Sequence, residues 1–398
     1  MRRAAIVAPV RTPVGKFLGA LAPVAVEKLA AAVVKETIAR AGVDPGRIED
    51  VVFAQSYASG ETPCVGRWAA LEADLPIAVP GMQLDRRCGG GLQAILTAAM
   101  MVQSGAADVV VAGGVESMSN VEYYTTAMRG GARAGTTALF DRLERGRERS
   151  QPEWRFGKIS GMIETAENLA RDFAISREAS DVYALQSQHR AAAAWADGKF
   201  AAELAPITVP SKKGDVVVDR DEGVRGDVTM ETLAALKPMM KGGVCTAGNS
   251  SQQNDAAAAC LVVAEDHLAK LNLAPMGFVA GWAAAGCDPA RMGIGPVPAV
   301  ERLFARMGAR WRDVDLIELN EAFACQVLAV LQSWKFDDLD RLNVNGSGIS
   351  LGHPIAATGA RMVATLLHEM QRRGIKRYGL ATMCVGGGQG LAALFEAA

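Results

Sequence analysis

One order of features occurs twice in this chain, and it restricts the fold more than any other property of the sequence. Arg47-Ile-Glu-Asp50-Val-Val-Phe-Ala-Gln55 resembles Arg312-Asp-Val-Asp315-Leu-Ile-Glu-Leu-Asn320, and the offset of 265 residues that carries Asp50 onto Asp315 also carries Cys88 onto His353. Each copy runs as a short buried strand, a glycine-rich turn bearing one reactive residue, a helix that stops at a glycine (Gly105, Gly374), and a second strand. Spacing of this kind marks a duplicated unit. Strands alternating with helices require layers, with sheets covered on both faces. The local patterns agree. Val26, Leu29, Ala30, Val33, Val34, Thr37 and Ile38 fall on one face of a helix over 26–41, and Gly42 follows where a left-handed cap belongs. Ala4–Ala8, Asp50–Ala54 and Asp108–Ala112 read as buried strands, and 92–104 as a helix. The expected class is α/β, built as a duplicated α/β/α/β/α layered fold with an inserted loop domain.

The insert has its own composition. Between the halves, the stretch from about 120 to 250 carries Arg129, Arg133, Arg142, Arg145, Arg147, Arg149 and Arg155 with acids interspersed. It also holds a helical pair around 164–197. Charge runs of this kind are ordinarily solvated faces, and the functional alternative is a cap contacting phosphates. The chain as a whole is balanced, with 42 Lys and Arg against 43 Asp and Glu. That excludes the basic excess expected of a nucleic-acid or membrane-surface binder. No apolar run reaches the roughly 18 residues that span a bilayer, and the start reads as a strand rather than a secretory signal. The 7 cysteines show neither paired spacing nor C-x-x-C. They suggest no metal site and no disulfide framework, and free thiols point to the cytoplasm.

Four places could carry chemistry. Cys88 lies in Leu84-Asp-Arg-Arg-Cys88-Gly-Gly-Gly, at the entrance to a helix, where peptide N–H groups would favour a thiolate. By itself it reads as a buried structural cysteine sooner than as a nucleophile. The G-x-G-x-x-A at 89–94 invites a dinucleotide reading, but Asp108 precedes its strand where a ribose-binding acid should follow one. His353, fixed between Gly352 and Pro354, is the one histidine in a glycine-rich turn and could serve as the base for a thiol. His189, His267 and His368 sit in helical text with polar neighbours and read as surface residues. Cys384 ends a strand and enters Val-Gly-Gly-Gly-Gln-Gly390, a run whose N–H groups could form an oxyanion pocket. Asn320 follows a buried strand, where an asparagine can orient a water or a carbonyl, or simply cap a helix. Two cysteines, one histidine and one asparagine in such turns point together to acyl transfer through a thioester.

With these residues in view the chain resembles the thiolase family along its whole length. Arg86-Arg87-Cys88-Gly-Gly-Gly, Asn320-Glu-Ala-Phe, Gly352-His353-Pro and Cys384-Val-Gly-Gly-Gly-Gln-Gly are similar to four family motifs, in order. Gly113-Gly-Val-Glu-Ser-Met-Ser, Thr165-Ala-Glu-Asn, Thr246-Ala-Gly-Asn-Ser-Ser and Met292-Gly-Ile-Gly-Pro-Val-Pro-Ala add to the likeness. The resemblance implies an N-terminal half over 1–120 to which 250–270 returns, a loop domain over coenzyme A at 121–249, and a C-terminal half over 271–398. It implies that Cys88, helped by His353, attacks an acyl-CoA carbonyl and holds the acyl group. Cys384 would then remove a proton from C2 of acetyl-CoA. His353 and a water on Asn320 would stabilise the enolate, and the N–H groups of Cys88 and Gly386 the tetrahedral oxyanion. By motif position Arg225 would contact adenine or phosphate, and Leu236, Met240 and Ala247 would line the coenzyme path. Ser251 would bond pantetheine, and Met162 and Phe323 would border the acyl pocket. Acyl-CoA and acetyl-CoA are the implied partners, coenzyme A being substrate and product rather than a resident cofactor. Family members are dimers or tetramers, so a homodimer or homotetramer is implied here.

The chain departs from the family pattern in three places. Asp85-Arg-Arg87-Cys88 stands where Asn-Arg-Leu-Cys is usual, Gly161-Met-Ile-Glu164 where many short-chain members have His-Met-Gly, and Ser251-Gln-Gln-Asn254 where Ser-Gly-x-Asn is common. Loss of a pocket histidine would widen the acyl site or make it less polar, so the resemblance implies thiolase chemistry without strict preference for acetoacetyl-CoA. Two other functions compete: a carrier-protein-dependent ketoacyl synthase, which needs a second histidine where this chain has Cys384, and a catalytically silent thiolase-like acyl-CoA binding protein, which has no physical need for the thiol pair.

Overall fold

The computed structural model describes residues 2–398. The first half contains β1 (Ala4–Arg11), β2 (Gly15–Lys16), α1 (Val26–Ala41), β3 (Asp50–Ala54), α2 (Val65–Glu72), β4 (Gly81–Leu84), α3 (Gly90–Ser104) and β5 (Val109–Ser117). An insert follows with α4 (Arg142–Glu148), α5 (Met162–Asp172) and α6 (Arg177–Ala196). The chain then returns through β6 (Asn254–Ala264) and builds the second half from β7 (Gly277–Gly286), α7 (Pro296–Met307), β8 (Val314–Leu319), α8 (Ala324–Trp334), α9 (Ile355–Arg373), β9 (Tyr378–Val385) and β10 (Gln389–Ala397).

The strands form one continuous ladder in the order β8-β9-β10-β7-β1-β6-β5-β3-β4, with β2 added on β6. It is two equivalent sheets joined edge to edge. In the first, β3 is parallel to β5, β5 antiparallel to β6, and β6 antiparallel to β1. In the second, β8 is parallel to β9, β9 antiparallel to β10, and β10 antiparallel to β7. The join is short, β1 against β7 at Ala5↔Phe278 and Ile6↔Gly277.

Alternation along each strand sorts side chains into separate cores. Val51 and Phe53 of β3 face α1 and α2, packing with Leu29, Val33 and Val34. Val52 and Ala54 face the other way, into a core shared by α3 (Leu92, Ile95, Leu96), α9 (Met362, Val363, Leu367) and the second half's Ala381, Met383 and Phe395. Beyond that sheet, α7 and α8 cover Ile317, Leu319, Leu380 and Leu394. The sequence α1/α2, sheet, α3/α9, sheet, α7/α8 is the five-layer arrangement. α3 and α9 approach so closely that a Cβ on Gly359 would stand 2.4 Å from the Leu92 amide nitrogen.

The helix expected over 26–41 is present, ending at Gly42 with φ 67°, and the two central helices end at Gly105 and Gly374 with φ 78° and 62°. β5 runs further than expected, through Gly113 and Gly114 to Ser117. A Cβ on Gly114 would come within 2.1 Å of the Ala356 carbonyl, so this glycine serves contact with α9 inside a strand rather than a turn. His267 and His368 are also corrected: instead of lying on the surface both are half-buried, His267 with Nδ1 3.4 Å from Asp108 Oδ1 and His368 with Nε2 3.1 Å from the Pro9 carbonyl. The insert is tied to the first half by fully buried Arg11, which meets Glu203 at 2.6 Å and Asp221 at 2.7 Å. No described helix is long and apolar enough to cross a membrane.

Candidate active site

Cys88 sits in a tight turn, Arg87–Gly89, between β4 and the first turn of α3. Arg87 adopts φ 45°, a left-handed conformation unusual for a long side chain, and its backbone N–H donates to Asp85 Oδ1 at 2.6 Å. The Arg87 carbonyl accepts from Ser56 Oγ at 3.0 Å, which fixes the turn from outside. The backbone N–H groups of Gly386 and of Cys88 itself act on the thiol to favour its charged form. A helix entrance suggests a lowered thiol pKa, but here the thiol is raised: burial pushes it up, and the two N–H groups and the Arg87 charge offset this only in part. An acceptor for the thiol proton is therefore needed.

His353 occupies the equivalent position before α9. Its backbone N–H donates to Asn254 Oδ1 at 2.8 Å, holding it against the end of β6. Its ring Nδ1 lies 2.7 Å from Thr358 Oγ1. That hydroxyl spends its hydrogen on the Pro354 carbonyl at 3.1 Å, so it accepts from Nδ1–H and leaves a lone pair on Nε2. Burial, with the charges of Arg361 and Arg147, lowers the imidazolium to about 3. The ring is neutral, with the Nε2 lone pair free.

Asn320 leaves β8 with its backbone N–H on the Thr382 carbonyl at 3.0 Å. Its Nδ2 is 3.5 Å from His353 Nδ1, but Nδ1 already gives its hydrogen to Thr358, and buried Oδ1 has no partner among the described residues. The amide is thus free for a water or a ligand. The next residue, Glu321, accepts from Tyr183 at 3.0 Å, Ser187 at 2.6 Å, Asn343 at 3.0 Å and the Ile349 amide at 3.1 Å, locking the loop.

Cys384 is fully buried near the end of β9, beside Phe323, Met292, Leu169 and half-buried Met162. Burial and the neighbouring thiols Cys88 and Cys287 push its thiol well up. Gly386 begins the turn that joins β9 to β10, and Gly387 and Gly388 complete it with φ 85° and 82°. Ser251 donates its N–H to the Ala322 carbonyl at 2.9 Å, so the 246–251 loop lies along the Asn320 loop.

Cys88, His353, Cys384, Asn320, Gly386, Met162 and Phe323 therefore gather around the ends of α3, α9, β8 and β9. Leu236, Met240, Ala247 and Arg225 stand apart from them on an exposed edge of the insert. Leu236 packs there over Gly248, where a Cβ would meet its Cδ1 at 2.6 Å. The sequence reading missed Thr358 and Asn254, which orient His353, and also Glu116. Buried Glu116 accepts from the amides of Ser56 at 3.2 Å, Tyr57 at 3.1 Å and Ala356 at 3.1 Å, stitching the loop that fixes the Cys88 turn to α9. Burial raises its carboxyl to about 7. Glu116 and Asn254 lie inside motifs quoted above, and Thr358 follows His353 by five residues in Ala-Ala-Thr-Gly, where a lone polar residue was the available signal.

Comparison with known proteins agrees along the full chain. The family model for the thiolase N-terminal domain matches residues 4–266, and that for the thiolase C-terminal domain matches 273–397. An acetyl-CoA acetyltransferase of Cupriavidus necator is 42% identical over 395 residues, covering 98% of each chain. One of Pseudomonas aeruginosa is 44% identical over 395 residues, again covering 98% of each. Among solved structures, the Bacillus anthracis acetyl-CoA acetyltransferase superposes with a TM-score of 0.95 at 41% identity, covering 100% of this chain and 99% of that one. Human mitochondrial 3-ketoacyl-CoA thiolase gives 0.94 at 38% identity, with coverage of 100% and 99%.

Proposed function

The chain belongs to the thiolase family and is an acyltransferase acting on coenzyme A thioesters, and we propose that it works through an acyl group held on Cys88. The observation that carries this assignment is the packing of the Gly386 turn on the Cys88 turn, where a Cβ on Gly89 would stand 3.1 Å from Val385 and one on Gly386 4.0 Å from Arg87, so that the Gly386 and Cys88 N–H groups favour the Cys88 thiolate. Donors so placed lie beside the oxygen that becomes negative when the sulfur adds to a carbonyl.

In the thiolytic direction His353 Nε2 takes the Cys88 proton and the thiolate adds to C3 of a 3-oxoacyl-CoA. The C2–C3 bond breaks, its electron pair forms the enolate of acetyl-CoA, and Cys384 protonates C2. Coenzyme A then takes the acyl group from Cys88. In condensation the same steps run backwards, with Cys384 removing the C2 proton. His353 and a water on the free Asn320 amide stabilise the enolate oxygen; the unpartnered Oδ1 supports that role. Met162 and Phe323 border the acyl group, Ser251 meets pantetheine, and Ala247, Leu236, Met240 and Arg225 lead outward to the nucleotide. Residues 121–249 are the loop domain over coenzyme A, between an N-terminal half (1–120 with 250–270) and a C-terminal half (271–398). Coenzyme A is substrate and product, and the protein works as a cytoplasmic homodimer or homotetramer.

The test is intact-protein mass after mixing with acetyl-CoA. An acetyl adduct that maps to Cys88 and is absent from Cys88→Ala is expected. An adduct retained by that variant moves the nucleophile elsewhere.

A further inference from the structure

Helix α4 and the turn after it form a wall of the site to which the mechanism above gives no task. The Tyr57 hydroxyl donates to the Leu143 carbonyl at 3.1 Å, and Gly146 lies so near the Tyr57 ring that a Cβ would meet it at 2.9 Å. The Ser150 carbonyl packs on Gly387, where a Cβ would stand 3.0 Å away. The wall therefore touches both the loop that fixes the Cys88 turn and the β9–β10 turn that carries Gly386.

From this wall Arg147 reaches inward. With the Gln253 amide turned so that its oxygen faces the guanidinium, both Nη groups donate to it, at 3.1 and 3.2 Å. Gln253 adjoins Asn254, which holds the His353 backbone. The Arg147 charge is felt at His353 and at the Tyr57 hydroxyl, which itself feels Cys88. Its neighbours on α4 are committed: Arg142 pairs with Glu122 at 3.0 Å, and Arg145 stacks on Phe140 at 3.7 Å. Arg147 is half-buried and pairs with no carboxylate among the described residues.

A partly desolvated guanidinium without a counter-charge is an electrostatic cost that a bound anion offsets. The phosphates of coenzyme A are not that anion. The pantetheine arm separates them from the thioester by its whole length, whereas Arg147 bonds Gln253, next in the chain to the Asn254 that holds the reacting histidine. What remains is the acyl group itself. A carboxylate suits this guanidinium, since the Nε–H and the outer Nη hydrogen that Gln253 leaves free are two parallel donors that match its two oxygens.

We propose that Arg147 is a specificity-determining residue that receives a carboxylate at the far end of the acyl chain, so that the preferred substrates are 3-oxoacyl-CoA thioesters with an anionic tail. The proposal rests on the thiolase reading above. Thiolysis of such a substrate releases acetyl-CoA from C1–C2 and leaves a half-acid thioester on Cys88. Its free carboxylate pairs with Arg147 until coenzyme A displaces the Cys88 thiolate.

The experiment compares thiolysis of two thioesters of equal length, 3-oxohexanoyl-CoA with a terminal methyl and 3-oxoadipyl-CoA with a terminal carboxylate. The wild-type kcat/KM ratio, carboxylated over neutral, is expected to be about tenfold or more, as one charge-assisted hydrogen-bonded pair allows. It should collapse to near one in Arg147→Leu and be partly restored in Arg147→Lys. A wild-type ratio near or below one, or a ratio unchanged in Arg147→Leu, overturns the proposal. Acetyl labelling of Cys88 in the same preparations separates the two readings. Labelled protein without charge discrimination sinks only the Arg147 assignment, and unlabelled wild-type protein sinks the thiolase mechanism.

Discussion

Thr358 Oγ1 lies 2.7 Å from His353 Nδ1, one helical turn further along α9, and because it donates to the Pro354 carbonyl it can only accept from the ring. The tautomer of the catalytic base is thus written into the first turn of a helix. Thr358→Val should remove the acceptor, free the ring to change tautomer, and lower kcat by about tenfold to a hundredfold, the range of a mispositioned general base. Thr358→Ser should restore most of it. Steady-state kinetics beside a melting curve distinguish this from loss of fold: a variant with unchanged kcat denies the hydroxyl its role.

The two thiols should separate two half-reactions. In Cys384→Ala, acylation of Cys88 by acetyl-CoA is expected to proceed, while exchange of the acetyl-CoA C2 protons with deuterated water should cease. Proton exchange followed by NMR, together with intact mass, reports both. Exchange that persists would place the base on another group.

His353 gives a pH signature in stability. Its folded value near 3 lies below the ordinary 6.5, so the unfolded chain binds a proton that the native state refuses. The contribution is fully present above 6.5 and is lost as the pH falls from there towards 3. Between pH 7.5 and 5 the loss amounts to about 2 kcal/mol. His353→Asn should be spared that portion of the acid destabilisation, as urea titrations at the two pH values would reveal. Equal losses in both proteins would mean that the ring is not held neutral.

Much of this was legible before any coordinates, and for a definite reason. Glycine turns and apolar periodicity are local signals, and Cys88, His353, Cys384 and the helix ending at Gly42 all announce themselves locally. What stayed hidden depends on partners distant in the chain. Gly113-Gly114 looks like a turn until α9 is laid against it. The helix entrance at Cys88 suggests an acidic thiol, yet burial between the halves outweighs the N–H groups. Arg147 reads as one more solvated charge among the seven arginines between 129 and 155, until Gln253 is found beside it.

The contact between the central helices should be intolerant of a single methyl group. Gly359→Ala would drive a Cβ into the Leu92 backbone, where no side chain can swing aside, and is expected to cost about 3 kcal/mol. Denaturant unfolding measures it; a loss below about 0.5 kcal/mol would show that the helices part freely.

That contact also decides how the enzyme fails. The sheets join at only two residue pairs, so α3 and α9 carry most of the adhesion between the halves. The same two helices begin at Cys88 and His353, one reactive group from each half. Turnover is therefore a gauge of registry between the halves: a slip of the helices, too small to expose a core or alter a circular dichroism spectrum, already parts nucleophile from base. Heat or denaturant should silence the enzyme before it unfolds, and neither half, expressed alone, would retain a fraction of the activity.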